Sequence, residues 1–302
     1  MDIERLEYDD ADAVRGCHSV HLAAQRADDP QGTWLSAAPF LAWLSVGWEG
    51  DPREVWLTRG ADRGVTGWYR LELPDRENLD RGALERSSAW EGSAGEAFAR
   101  WTGASATLSD IRRVQELAEL PVGQIGELRR VAGQAAAGYA LTSWTGLVPE
   151  RFLDGVAAVN SAMADAPSPA GFERREWDAA RVRTEVNGIF PRLGLRQHSV
   201  AAVADASGAM AALTQVWIDP AIPDWGFQGL TAVVREHRGH RLGLLVKAAM
   251  LDVVAQAEPQ VKRLETWNAA TNAHMIAVNE ALGYQVHGPP NVEWELDLPA
   301  EA

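Results

Sequence analysis

The stretch Thr231–Lys247, T-A-V-V-R-E-H-R-G-H-R-L-G-L-L-V-K, decides how the rest of the chain is read. Its first four residues are apolar or β-branched, its middle is basic and broken by glycine, and its last five have helical spacing. That order predicts a strand, a tight loop and a helix N-terminus. Such a junction is suited to anions, because the first turn of a helix leaves backbone N–H groups unpaired at the positive end of the dipole. Gly239 and Gly243 let a ligand approach the backbone closely. Arg235, Arg238 and Arg241, with His237 and His240 among them, are opposed locally by Glu236 alone. The whole chain carries a formal charge of −14, so the basic loop runs against its surroundings.

The order R-G-H-R-L-G at Arg238–Gly243, behind a strand and before an apolar helix, resembles the acyl-CoA pyrophosphate loop of the GNAT superfamily of N-acetyltransferases. The usual pattern there is Arg/Gln-x-x-Gly-x-Gly/Ala, and Arg241 stands where the inner glycine is expected. An arginine is compatible with that position if its φ is helical, and its side chain then adds a phosphate contact. A second segment, E-T-W-N-A-A-T-N-A-H-M-I-A-V-N-E-A-L-G-Y at Glu265–Tyr284, resembles the strand, loop and helix that hold the pantetheine arm in this superfamily. The two segments occur in the right order, separated by one helix at about Arg241–Ala257 and one strand at about Val261–Trp267. The resemblance covers residues 137–298 well and the first half in part.

It implies an α/β fold with a mixed sheet, in two tandem lobes of which the N-terminal one is truncated. It also implies acetyl-CoA or another acyl-CoA as cofactor. The residues it assigns to that cofactor are Thr231, Val233 and Val234 on the strand, then Arg238, Gly239, His240, Arg241, Leu242, Gly243 and Leu244 in the loop and first helical turn. Asn268, Asn272 and Asn279 follow from the second segment. The activity implied is acyl transfer to an amine by direct attack in a ternary complex. A small-molecule amine is the expected acceptor, and a catalytically silent acyl-CoA-binding protein or a protein or peptide N-acetyltransferase is the alternative.

Such a transfer needs a neutral amine, a polarised thioester carbonyl and a proton for the departing thiolate. Asn279 falls where many GNAT enzymes have tyrosine, and an amide donates a hydrogen bond but no proton. Gln228 falls where some carry glutamate, with the same limitation. Glu265, at the end of its strand, is the first candidate for a base, followed by Glu185 and His274. Tyr284 reads as core, and Trp225 and Trp267 sit on strands expected to converge on the cleft.

At 302 residues the chain is long enough for two domains, each with its own core. Hydrophobic residues make up 46% and charged residues 23%, the proportions of an ordinary globular protein. No apolar run approaches a membrane span, and the acidic opening M-D-I-E-R-L-E-Y-D-D is unlike a signal peptide, so no membrane partner and a cytoplasmic location are expected. The acidic balance argues against nucleic acid. Cys17 is the only cysteine, which excludes an intramolecular disulfide and a cysteine-based metal site. It reads as a small buried side chain, and no metal is expected.

The first half opens in the same order as the second: a strand at Met1–Tyr8, helices at about Ala11–Ala24 and Pro39–Gly47, then strands at about Glu54–Thr58 and Val65–Leu73. Only eleven residues, Leu79–Ala89, then separate Asn78 from Trp90. A central strand, phosphate loop, helix and further strand need roughly 40 residues at ordinary element lengths. The expected organisation is therefore a degenerate lobe over 1–125 without the CoA loop, and an acetyltransferase domain over 126–302.

Overall fold

The computed structural model describes residues 3–30, 32–46, 53–72, 77, 86–165 and 173–295. In chain order the first elements are β1 (Ile3–Arg5), α1 (Ala11–Asp28), α2 (Ala37–Val46), β2 (Arg53–Arg59), β3 (Val65–Glu72), β4 (Arg86–Trp90), α3 (Ala94–Thr102) and β5 (Ser105–Glu116). Next come α4 (Gln124–Ala135), β6 (Tyr139–Thr145), α5 (Leu153–Ala162) and α6 (Ala179–Arg181), which runs through a π-helical turn at Val182–Val186 into α7 (Asn187–Ile189). The chain continues with β7 (Arg196–Ala204), β8 (Met210–Ile218), β9 (Trp225–Val233), α8 (Leu242–Ala257), β10 (Arg263–Ala269), α9 (Ala273–Ala281), β11 (Gln285–Val286) and β12 (Asn291–Glu295).

Two compact units result. One comprises Met1–Ile111, Ser168–Glu173 and Gly288–Ala302, the other Arg112–Pro167 and Arg174–His287. The division falls inside β5, earlier than the expected boundary at 125/126, and it assigns the last residues of the chain to the first unit. Most of the segment expected to lack a phosphate loop, residues 78–85, lies outside the described residues.

In the first unit β1, β2 and β3 form an antiparallel sheet. Asp10 starts α1 by accepting from the backbone N–H groups of Asp12 and Ala13, a cap that settles two otherwise unpaired donors. The helix then turns Ala13, Val14 and Cys17 inward against Phe40, Leu44, Val55 and Leu57. Cys17 is fully buried, and burial pushes its thiol up to about 11, which suits packing and not nucleophilic chemistry. β12 pairs antiparallel with both β4 and the first half of β5, with Asn291 opposite Trp90 on one side and Asp110 on the other.

In the second unit the strand order is β5, β10, β9, β8, β7, β6, with β11 beside the second half of β5. α8 covers one face of the sheet, where Leu242, Leu245, Val246 and Met250 meet Val200, Val216, Ile218 and Leu264. α4 packs on the outer side of α8 through Ile125, Leu128 and Ala132, which is why α8 is apolar around most of its circumference. α5 covers the opposite face, with Leu153, Val156 and Val159 against Ala201, Leu213 and Ala232. Both sheet faces are thus buried, as the near-continuous apolar runs of β7 and β8 require.

Candidate functional site

β9 and β10 are parallel neighbours for three rungs only. Arg263 lies opposite Trp225, Leu264 opposite Gly226 and Glu265 opposite Phe227, and there the pairing stops although the strands continue to Ala269 and Val233. On its other edge β9 stays paired with β8 up to Val233, across a bulge that sets Val216 opposite Gln228 and Thr214 opposite Thr231. The N–H of Val234 donates to the carbonyl of Ala211 at 2.9 Å. Because alternate residues of a strand point to alternate edges, Thr231 and Val233 turn their backbone groups away from β8 and into the opening. Unpaired peptide groups at a strand edge call for a partner. Val234, expected to help bind the cofactor, has its own N–H committed to β8.

The opening leads into the basic loop. Arg235–His237 form a single 3-10 turn, Arg238 is extended, Gly239 has φ of 89°, and α8 begins at Leu242. The first helical bond at this end runs from the N–H of Leu245 to the carbonyl of Arg241 at 3.0 Å. Among the described residues, the N–H groups of Gly239 through Leu244 meet no protein acceptor. Arg241 has φ of 55° and ψ of 23°, in the left-handed region. The condition under which an arginine suits this position, a helical φ, is therefore not met. A left-handed residue with a side chain costs about 1–2 kcal/mol, so a glycine at this position of the pattern has a conformational reason.

A carboxylate that the sequence did not single out sits beside the loop. Asp165, just after α5, accepts from Arg235 at 2.5 Å through one oxygen, and from Arg238 at 2.7 Å through the other. Arg238 also donates to the carbonyl of Val233 at 3.3 Å. The two guanidinium groups hold the Asp165 carboxyl below its usual range. Each arginine keeps further donors free, since a guanidinium carries five. His237 and His240 pack on the Tyr139 ring, His237 Nδ1 lying 3.0 Å from the Tyr139 hydroxyl and His240 Nδ1 3.4 Å from the Ala135 carbonyl.

On the far side of the opening, Asn279 is fully buried in α9 and donates to Asn268 Oδ1 at 2.6 Å. Its side-chain oxygen Oδ1 meets no donor among the described residues. Asn272 caps α9 by accepting from the N–H of Met275 at 3.2 Å, so its side chain serves the helix. Gln228 is buried and spends its amide protons on Thr214 Oγ1 at 2.9 Å and the Gln215 carbonyl at 2.7 Å. Glu265 is buried against the equally buried Arg112, whose Nε lies 2.9 Å from Oε2, and Oε1 accepts from the Trp267 indole at 3.0 Å. Trp225 lies between two guanidinium groups, those of Arg112 and Arg263. Glu185 in the π-helical turn is held by Arg181 and Arg175, and His274 is exposed on α9. Of the sequence-derived residues, Thr231 and Val233 of β9, the loop and Asn268 of β10 flank one opening, with Asn279 buried behind Asn268 and Glu265 at the closed end.

The donor set fits a coenzyme A. Free N–H groups and arginines suit its phosphates, the open edge at Thr231 and Val233 suits the peptide-like arm, and the orphaned Asn279 oxygen suits an amide N–H of that arm.

No family model matches the chain, and no curated protein matches it. Solved structures do. A tandem GNAT protein from the clavulanic acid biosynthesis pathway superposes with a TM-score of 0.77 at 24% identity, covering 99% of each chain. A GCN5-related N-acetyltransferase from Sphaerobacter thermophilus gives 0.59 at 17% identity, covering 98% of this chain and 97% of that one. A GCN5-related glucosamine N-acetyltransferase region of a fungal multi-domain β-N-acetylglucosaminidase gives 0.58 at 12% identity, covering 97% of this chain and 38% of that one. Over its whole length, the chain has the fold of a tandem GNAT protein.

Proposed function

We propose that the second unit is an acyl-CoA-dependent N-acyltransferase that moves an acetyl group to the primary amine of a small molecule. The observation that carries this reading is the succession of an open β9 edge at Thr231 and Val233 and, one 3-10 turn later, the N–H groups of Gly239–Leu244, which meet no acceptor among the described residues. Gly239–Leu244 hold the pyrophosphate through their backbone, Arg238 and Arg241 add charge, and Thr231 and Val233 pair with the arm. Coenzyme A supplies the acyl group as an activated thioester.

A β9 N–H donates to the acyl carbonyl oxygen and stabilises the negative charge that grows there as the amine attacks. Arg112 and Trp267 fix the Glu265 carboxylate at the closed end, where it orients the incoming amine and passes its proton toward water. Asn279 holds the arm and leaves protonation of the thiolate to solvent.

A second reading, acyl-CoA binding without turnover, is favoured by the amides at Gln228 and Asn279 and by the burial of Glu265 in an ion pair with Arg112. One experiment separates them. Calorimetry with acetyl-CoA is expected to give one site per chain, and a panel of amines is expected to release free thiol with at least one member. Binding without thiol release from any amine selects the second reading, and no binding at millimolar acetyl-CoA removes both.

A further inference from the structure

The opening between β9 and β10 has a closed end, and one aromatic side chain lies across β9 just beyond it. Trp217 of β8 lies opposite Phe227, the last residue of β9 that pairs with β10. Its neighbours Val216 and Ile218 belong to the core under α8, so strand alternation turns Trp217 to the other face of the sheet. There its ring lies on Gly229. A Cβ at Gly229 would come within 2.8, 3.0 and 3.1 Å of Cζ2, Cε2 and Cη2 of the indole. Residue 229 thus has no room for a side chain because the indole occupies that place, immediately beyond the last rung. Phe190 braces the ring from behind, with centroids 5.6 Å apart. On the same face β9 presents Phe227, and β10 presents Glu265 and Trp267.

Resting on the function proposed above, we infer that Trp217 sets the length of the acyl group, and that the site takes acetyl and excludes longer straight chains. β9 extends about 20 Å from Phe227 to Val233 at ~3.3 Å per residue. A ligand with its phosphates on the loop and its arm along the free edge carries its acyl end to the closed end. There a two-carbon group fits against the indole rim. Each further methylene has to displace a ring held between Gly229 and Phe190, in packing that tolerates added volume poorly. With the indole removed, the same methylenes enter an apolar space, and burial favours each of them by about fourfold in affinity.

The test compares dissociation constants of acetyl-CoA, butanoyl-CoA and hexanoyl-CoA for the full chain, with free CoA as reference. Wild type is expected to bind hexanoyl-CoA at least about 10-fold more weakly than acetyl-CoA, and Trp217→Ala to erase or reverse that ratio. Trp217→Phe, a smaller ring in the same place, is expected to shift the ratio in the same direction by less, and serves if the alanine variant does not fold. Gly229→Ala, which pushes the ring aside, is expected to change the ratio again. An unchanged ratio in a folded Trp217→Ala overturns the inference, as does a wild type indifferent to chain length. If wild type binds neither free CoA nor any acyl-CoA, the function proposed above fails as well, and that outcome is distinct from a failure of the chain-length ratio alone.

Discussion

Two positive regions within a few turns of each other treat charge in opposite ways. Before α8, Arg238 and Arg241 stand in water beside unpaired N–H groups, with the Arg238 side chain 44% exposed. In the second turn of α8, Lys247 is 2% exposed, lies 4.9 Å over the Tyr284 ring, and has no ion pair among the described residues. Burial pushes its pKa down to about 7. Water reaches both guanidinium groups, and Asp165 pairs with that of Arg238. The ammonium, taken out of water without a carboxylate, gives up much of its charge at neutral pH. Charge meant for a ligand stays at the surface, and a charge carried into the core without a counter-ion, unlike the paired Arg112 and Glu265, is given up.

The largest effect that would break this contrast is on stability. A lysine whose folded pKa is depressed binds fewer protons folded than unfolded. Stability contributed by this group should therefore rise as pH goes from about 7 toward its unfolded value of about 10.4. Lys247→Met is expected to stabilise the chain at pH 7 by an amount of the order of a few kcal/mol and to flatten the rise between pH 7 and 10. Urea denaturation at the two pH values measures both. A variant that is less stable at pH 7 would show that the ammonium has a favourable partner.

Next comes Arg238→Ala, expected to weaken CoA binding by about 1.5–3 kcal/mol through loss of a charge-assisted contact, and to reduce its salt dependence. Titration calorimetry at two salt concentrations reads this, and an unchanged affinity would assign Arg238 to Asp165 alone. Arg241→Gly sharpens the contrast from the backbone side. Relief of the left-handed strain, partly offset by the greater freedom of an unfolded glycine, is expected to stabilise the chain by about 0.5–1 kcal/mol. A lower denaturation midpoint would mean that the arginine side chain contributes more than its φ costs. The smallest effect is that of Asp165→Asn. Removing a carboxylate beside the two arginines is expected to raise CoA affinity by less than about twofold at low salt and by less again at high salt. A loss of affinity would make Asp165 a residue that positions the two arginines.

The parts of the site that were legible in the sequence are local ones. The loop, its glycines, the helix behind it and the Asn268–Asn279 segment announce themselves through spacing within about twenty residues. What stayed hidden depends on contacts across the chain. Asp165 precedes Arg235 by seventy residues, and nothing in its own neighbourhood marks it as the partner of a loop. Arg112 reaches Glu265 from a strand that sequence alone assigns to the close of the first lobe. Trp217 reads as one more aromatic on an alternating strand until its ring is seen on Gly229. The handedness at Arg241 was out of reach for another reason: an arginine suits the position only with a helical φ, and the geometry of the turn set a left-handed one. The fold class was readable because the two segments that carry the resemblance are local, whereas the place of β12 depends on pairing at very long range.

That last strand also orders events in time. β12 pairs with β4 and with the first half of β5, so the first unit includes residues from both extremities of the chain. A ribosome releases the N-terminal residues first, at roughly 5–20 residues per second. On that scale β4 and β5 wait for about ten seconds or more with hydrogen-bonding edges that residues 291–295 pair in the finished fold. Throughout that interval the first unit is a nascent sheet with its own strand missing, while every residue of the second unit has been made before β12 is. The half of the protein that is synthesised first is therefore the half that is completed last.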